Sequence, residues 1–181
     1  MKEKEIIGPK ELNIILNRLC CQLIENHQDF NNTVIIGIQP RGVALTKRLV
    51  KLLKESYHLK NLKVGYLDIT FFRDDFRRRD EPITANQTKI DFLIEGKKVV
   101  FIDDVLYTGR SIRAALDAVQ SFGRPEKIEL LCLIDRRFSR DLPIQPDYTG
   151  SRVDAIASQR VQVYWQEEQE KDAVTMISRD K

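Results

Sequence analysis

Residues Val99 to Ser111 read Val-Val-Phe-Ile-Asp-Asp-Val-Leu-Tyr-Thr-Gly-Arg-Ser, and this stretch constrains the chain more than any other. Val99, Val100, Phe101 and Ile102 form a continuous apolar run after Lys97-Lys98, the pattern of a short strand buried on both faces. Strands of that kind belong to parallel sheets covered by helices. Asp103 and Asp104 close the run, which places two carboxylates at the carboxyl end of such a strand, where open α/β sheets take their ligands. Thr108-Gly109-Arg110-Ser111 follows, and then Ile112, Ala115, Leu116 and Val119 recur at helical spacing. Gly109 permits a tight turn, so that the first N–H groups of the helix can converge on one anion. Thr108 and Ser111 add hydroxyl donors, and Arg110 adds charge.

An acid pair a few residues from an anion cradle suits a ligand with vicinal hydroxyls near a phosphate. Two carboxylates accept hydrogen bonds from neighbouring sugar hydroxyls while the loop holds a phosphate at the far end of the sugar. A ribose 5-phosphate has that shape. The bland reading is a buried strand followed by a solvated, Asp-capped turn.

The string resembles the phosphoribosyl-diphosphate signature of the type I phosphoribosyltransferases. The variant Asp103-Asp104-Val105-Leu106-Tyr107-Thr108-Gly109-Arg110 is similar to that of the subgroup combining a pyrimidine-operon regulator with a uracil phosphoribosyltransferase. The resemblance implies a central, mainly parallel sheet flanked by helices, with a mobile flap over about residues 71–88 and a small hood over about 135–181. It implies phosphoribosyl diphosphate, uracil and UMP or UTP as ligands, Mg²⁺ as cofactor and a pyrimidine-operon leader RNA as partner. A homodimer or higher homo-oligomer is the expected assembly.

Patterning along the rest of the chain agrees with that architecture. Pro9 suits a first helical turn, and Leu12, Ile15, Leu16, Leu19, Cys20, Leu23 and Ile24 carry an amphipathic helix to about Asn26. Thr33 to Ile38 reads as a buried strand, Val43 to about Glu55 as a second helix, and Leu62 to Phe72 as a further strand. Arg73 to Asn86 is strongly charged and contains Pro82, which predicts an exposed excursion. Ile128 to Ile134 is a third buried strand, Asp135 to Ser158 reads as irregular, and Val161 to Trp165 and Val174 to Ile177 close the chain as strands. Strands alternating with helices predict one domain, residues 1–181, whose functional loops start at Gln39, Asp103 and Asp135.

Phosphoribosyl transfer builds negative charge on a departing diphosphate and positive charge on the sugar, so the protein needs cations at one end and carboxylates at the other. Mg²⁺, which favours phosphate oxygens, suits the diphosphate, with Asp103 or Asp104 in reach of the ion. Gly37-Ile38-Gln39-Pro40-Arg41-Gly42 resembles the family's diphosphate loop, a strained peptide in which Arg41 supplies charge and Gly42 a close approach. Asp68 to Asp75 resembles the start of the flap, and Arg73 is the residue expected to reach the diphosphate. Arg77-Arg78-Arg79 reads as a solvated face that could assist. Asp103, Asp104 and Arg41 are the catalytic candidates, with Asp104 stabilising the sugar's charge and Asp103 holding a hydroxyl. Pro40, Gly42, Arg73 and the run Val105, Leu106, Tyr107, Thr108, Gly109, Arg110, Ser111 complete the donor site.

Asp135 and Arg136, at the start of what resembles the hood loop, read as base-side or diphosphate-metal residues, with a surface ion pair as the alternative, and the resemblance alone puts Val161 on the base side. The same resemblance puts Asn17, Arg18, Pro40, Phe138, Ser139, Gln145 and Ser151 on the RNA-facing surface, where Arg18, Arg140 and Arg152 supply charge. No residue stands out as the general base, and His27 and His58, at helix ends, receive no role. A purine phosphoribosyltransferase and a non-catalytic, nucleotide-sensing RNA-binding regulator are the competing readings, because base choice lives in the hood.

A net charge of +3 is too small to argue for nucleic acid without local clustering. No apolar run approaches a membrane span, and the first five residues lack the apolar centre of a secretory signal. Cys20, Cys21 and Cys132 sit in apolar patterns without metal-like spacing, which predicts reduced, buried thiols and a cytoplasmic protein. Neither the phosphate loop of ATPases, Gly-x-x-x-x-Gly-Lys-Ser/Thr, nor the dinucleotide loop Gly-x-Gly-x-x-Gly occurs.

Overall fold

The computed structural model describes residues 2–74 and 85–178. Five strands build a wholly parallel central sheet: β2 (Thr33–Ile38), β3 (Lys63–Leu67), β4 (Lys98–Leu106), β5 (Lys127–Arg136) and β6 (Tyr148–Val153). Their spatial order is β3-β2-β4-β5-β6. A second, three-stranded antiparallel sheet joins β1 (Lys2–Ile7), β7 (Gln159–Tyr164) and β8 (Ala173–Ser178) in the order β1-β8-β7.

Helices α1 (Pro9–His27) and α2 (Gly42–Glu55) cover one face of the central sheet. Their apolar rows meet Ile35, Val100, Ile102, Leu131 and Leu133, and the same core takes in Val161, Val163, Trp165 and Val174 of the small sheet. Helix α3 (Arg110–Val119) covers the other face, setting Ile112, Ala115 and Val119 against Val34, Ile36, Val99, Phe101 and Leu130. All six residues of β2 are buried, as a strand covered on both faces requires. A short helix, α4 (Gln166–Gln169), links β7 to β8.

Several expectations are corrected. The strand read from Leu62 to Phe72 ends at Leu67, and Thr70–Phe72 is a 3₁₀ turn. Asp68 breaks it: its carboxylate accepts from the Thr70 amide at 3.3 Å and the Thr70 hydroxyl at 2.7 Å. The stretch read as irregular from Asp135 to Ser158 contains β6, an edge strand of the central sheet. The small sheet, in turn, borrows its edge strand from residues 2–7, outside the 135–181 span expected for a hood. Cys20 and Cys132 are buried, whereas Cys21 is exposed, with its sulfur 3.2 Å from the Tyr57 hydroxyl.

His27 is far from idle. Its Nδ1 lies 3.0 Å from the Thr33 hydroxyl and its Nε2 lies 2.8 Å from Glu129 and 3.0 Å from the Tyr148 hydroxyl. Tyr148 donates to Glu129 at 2.8 Å, and Lys127 closes the network on the other carboxylate oxygen. Burial holds the His27 imidazole below its usual range, against the opposing pull of Glu129.

Candidate phosphoribosyl-binding site

Because the central sheet is parallel, the loops leaving β2, β3, β4 and β5 emerge on one rim, and the small sheet stands over it. Between them is a cavity of about 1050 Å³. Its wall contains Gln39, Pro40 and Arg41 after β2, Ile69, Thr70, Arg73 and Asp74 after β3, and Asp103 to Ile112 from β4 into α3. Arg136 of β5 and residues 157–161 with Ile177 of the small sheet complete it.

Asp103 and Asp104 are 8% and 4% exposed, an unusual depth for adjacent carboxylates. Each accepts a hydrogen bond from the next amide: Asp104 N–H to Asp103 at 2.9 Å, and Val105 N–H to Asp104 at 2.7 Å. Arg41 approaches Asp104 to 4.0 Å. Burial, then the neighbouring Asp104, pushes the Asp103 carboxyl well above the usual range, and burial also raises Asp104 against the pull of Arg41. Such a pair awaits positive charge or hydroxyl donors. Among the described residues no group of three or more His, Cys, Asp or Glu could cage a metal, so a bound Mg²⁺ would draw most of its ligands from diphosphate and water.

Past the acid pair the chain turns at Gly109, whose φ of 90° lies in the left-handed region that favours glycine. The Arg110 amide, first of helix α3, donates to the Thr108 hydroxyl at 3.4 Å, and Gly109 has no side chain to cap the amides that follow, which leaves those available to an anion. The turn is braced from behind: the Thr108 carbonyl accepts from the Asp141 and Leu142 amides at 3.0 and 3.2 Å, and Ile144 lies against Gly109. Arg73 donates to the Ser111 hydroxyl at 3.3 Å, bringing the start of the flap onto the cradle.

The structure gathers Pro40, Arg41, Arg73 and the whole run from Asp103 to Ser111 on one cavity wall, with Val161 and Arg136 across it. Three expected residues stand differently. The Arg110 guanidinium bridges Asp74 at 2.5 Å and Asp141 at 3.0 Å, tying the flap's start to the loop after β5. Gly42 sits against the backbone of β4 at Ile102 and does not line the cavity. Asp135 faces away from the cavity, where it accepts from Arg140 and helps line a separate pocket of about 350 Å³ with Arg137, Gln145 and Arg152.

Of the expected RNA-facing charges, Arg140 and Arg152 line that second pocket together. Arg140 also donates to the Tyr107 carbonyl at 2.5 Å, whereas Arg18 of α1 donates to the Thr149 and Gly150 carbonyls of β6. Arg77 to Arg79 and Pro82 lie outside the described residues, as does much of the expected flap. Sequence reading missed Ser158, Gln159, Arg160 and Ile177, which reach the cavity only because the small sheet folds over the rim. The peptide between Gln39 and Pro40 is cis.

A parallel sheet that puts an acid pair, a glycine-turned anion cradle and an arginine-bearing loop around one covered cavity defines the type I phosphoribosyltransferase class. The phosphoribosyl transferase domain family matches residues 5–168. A bifunctional PyrR protein of Synechocystis sp. is 42% identical over 173 residues, 96% of each chain. The bifunctional pyrR protein of Enterococcus faecalis is 38% identical over 179 residues, 99% of this chain and 98% of its own. The chain belongs to the PyrR family of phosphoribosyltransferases. Among solved structures, a hypoxanthine-guanine phosphoribosyltransferase of Bacillus anthracis gives a TM-score of 0.71 at 16% identity, covering 96% of this chain and 98% of its own. A hypoxanthine phosphoribosyltransferase of Staphylococcus aureus gives 0.70 at 18% identity, covering 97% and 92%. At those identities the likeness is one of fold. No helix among the described residues is long and apolar enough to cross a membrane.

Proposed function

We propose that this chain transfers the phosphoribosyl group of phosphoribosyl diphosphate to uracil, forming UMP and diphosphate, and that the same cavity senses UMP or UTP for an RNA-binding regulator of pyrimidine genes. The observation that carries the enzymatic reading is the placement of Asp103 and Asp104 beside the Thr108–Ser111 cradle on one wall. The cradle takes the 5′-phosphate through the first amides of α3 and the hydroxyls of Thr108 and Ser111. The carboxylates accept the ribose hydroxyls, and Asp104 favours the positive charge that grows on the sugar as diphosphate leaves. Arg41 and Arg73 face the departing diphosphate. Mg²⁺, where bound, neutralises that diphosphate, with Asp103 or Asp104 as protein ligand. Residues 157–161 and Arg136 stand on the base side.

The regulatory half of the proposal draws on the relatives, which carry the name bifunctional, and on the pocket lined by Arg137, Arg140 and Arg152 behind the signature loop. Product formation from phosphoribosyl diphosphate with uracil, hypoxanthine and guanine, each with Mg²⁺, tests the enzyme. Turnover of uracil alone is expected; turnover of a purine without uracil overturns the substrate. Binding of a pyrimidine-gene leader RNA, measured against salt with and without UMP, tests the regulator, and no binding at low salt ends that reading.

A further inference from the structure

The chain leaves β3 at Leu67 and reaches Arg73 through the 3₁₀ turn Thr70–Phe72. Phe71 and Phe72 are 61% and 41% exposed, so apolar burial does little to fix this stretch. Polar ties to α3 hold it instead. Arg113 donates to the Phe72 carbonyl at 3.1 Å, Arg73 donates to the Ser111 hydroxyl at 3.3 Å, and Arg110 holds the Asp74 carboxylate at 2.5 Å. Residues 72, 73 and 74 thus meet residues 113, 111 and 110, two short stretches matched in antiparallel order. Arg110 and Arg113 stand three apart on one helical face and grip the residues on either side of Arg73. Both guanidiniums are themselves braced, Arg110 by Asp141 at 3.0 Å and Arg113 by Asp117 at 2.8 Å. The Asp141 amide bonds back to the Thr108 carbonyl, which makes that brace part of the cradle.

The first turn of α3 therefore has two contacts to make: its amides front the cradle, and its arginines hold the chain that carries Arg73. Arg73 lines the cavity, and its charge, like that of Arg41, pulls against the burial that raises the Asp103 carboxyl. A departing diphosphate gains negative charge only as its bond to the sugar breaks. A cation that is already aimed at it lowers the barrier most, because no reorganisation is needed at that moment. We infer that Arg110 and Arg113 are positioning residues that set Arg73 against the leaving diphosphate, so that the helix proposed to take the 5′-phosphate also aligns the cation for the other end of the sugar. In this role neither arginine touches the reacting atoms; both act through Arg73. Exposed ion pairs add little to stability, but a pair that fixes the direction of a cation at the reacting bond acts on the rate.

The inference rests on the transfer reaction proposed above, and the experiment separates the two. Turnover of uracil, and binding of diphosphate and of UMP by calorimetry, are measured with Mg²⁺ in the native chain, in Arg113→Gln and Asp74→Asn, and in each change combined with Arg73→Gln. UMP carries the 5′-phosphate without a diphosphate, so it reads the cradle apart from Arg73. Each single change is expected to lower kcat about tenfold and to weaken diphosphate by about as much, with KM for uracil and the UMP dissociation constant held within about twofold. In the Arg73→Gln background the same changes are expected to cost nothing further, because the residue they position is gone. Arg113→Lys is expected to recover part of kcat. Losses that add to that of Arg73→Gln, equal weakening of UMP and diphosphate, or an unchanged kcat in both single variants overturns the inference. Asp74→Asn, a change at an exposed side chain, decides if Arg113→Gln does not fold. A native chain that fails to turn over uracil would overturn the reading beneath, while diphosphate and UMP binding still test the placement of Arg73.

Discussion

Gly42, the first residue of α2, rests against the carbonyl of Ile102 in β4, and a Cβ at this position would overlap that oxygen. The Gln39–Gly42 loop therefore sits where it does because one backbone can touch another, next to the carboxylates that follow Ile102. In Gly42→Ala either the loop or the strand has to shift. The expected outcome is a destabilisation of about 1–3 kcal/mol, of the size seen for overpacked sites, in denaturant unfolding. Weaker binding of phosphoribosyl diphosphate by calorimetry is expected with it.

Asp103 is held against its electrostatic preference. Its carboxyl titrates well above the usual range when folded, so between the ordinary and the raised value the folded chain binds more protons than the unfolded one. Stability from this group consequently falls as pH rises through that window. Asp103→Asn is expected to raise the melting temperature at neutral pH and to flatten that fall, while cutting transfer activity severely. Thermal melts across pH 4 to 8, set beside activity, check both effects, and a lower melting temperature at neutral pH would contradict them.

The buried network at the opposite end of the sheet behaves in the reverse sense. His27 is held below its ordinary value of 6.5 by burial, so its contribution is present above that value and is lost as pH falls through the folded one. Glu129, although burial opposes it, is held low by Lys127, Tyr148 and His27 and adds a further loss at lower pH. His27→Ala, which takes the imidazole partner from the Thr33 hydroxyl and one of three partners from Glu129, is expected to cost about 2–4 kcal/mol. Urea unfolding at pH 7.5 and pH 5 should show a smaller difference between the two pH values in the variant than in the native chain.

Arg48 joins α2 to the small sheet. It makes paired contacts to Asp172 at 2.6 and 2.9 Å, reaches Glu167 at 2.7 Å and lies 4.8 Å above the Trp165 ring. A lysine cannot reproduce that planar fork. Arg48→Lys is expected to destabilise by about 1 kcal/mol and Arg48→Ala by about 2 kcal/mol, in unfolding monitored by Trp165 fluorescence. Because the small sheet walls the cavity on the side proposed for the base, the alanine variant should raise KM for the base more than KM for the sugar donor.

Local pattern carried much of this protein. Val99 to Ser111 announced a doubly buried strand, an acid pair and a glycine-turned helix start, since each depends on neighbours in sequence. Thr33 to Ile38 and the two amphipathic helices were legible for the same reason. Strands β1 and β6 were not: one reads Lys-Glu-Lys-Glu and the other contains Gly150, and each is an edge whose pairing is set by a distant partner, Ser178 with Lys2 and Leu131 with Tyr148.

The residues whose meaning changed are those whose partners lie far along the chain. Arg110 was expected to serve the cradle and bridges Asp74 and Asp141; His27 had no visible partner and found Glu129; Asp135 turned its carboxylate to Arg140. By itself the sequence determined that the acid pair stands beside the glycine turn and its hydroxyls, because short-range backbone geometry places those groups within a few residues of one another. Tertiary structure alone decided which charges are neutralised and which are left unpaired, Arg136 among them, because burial and long-range ion pairs exist only once the sheets and helices have met.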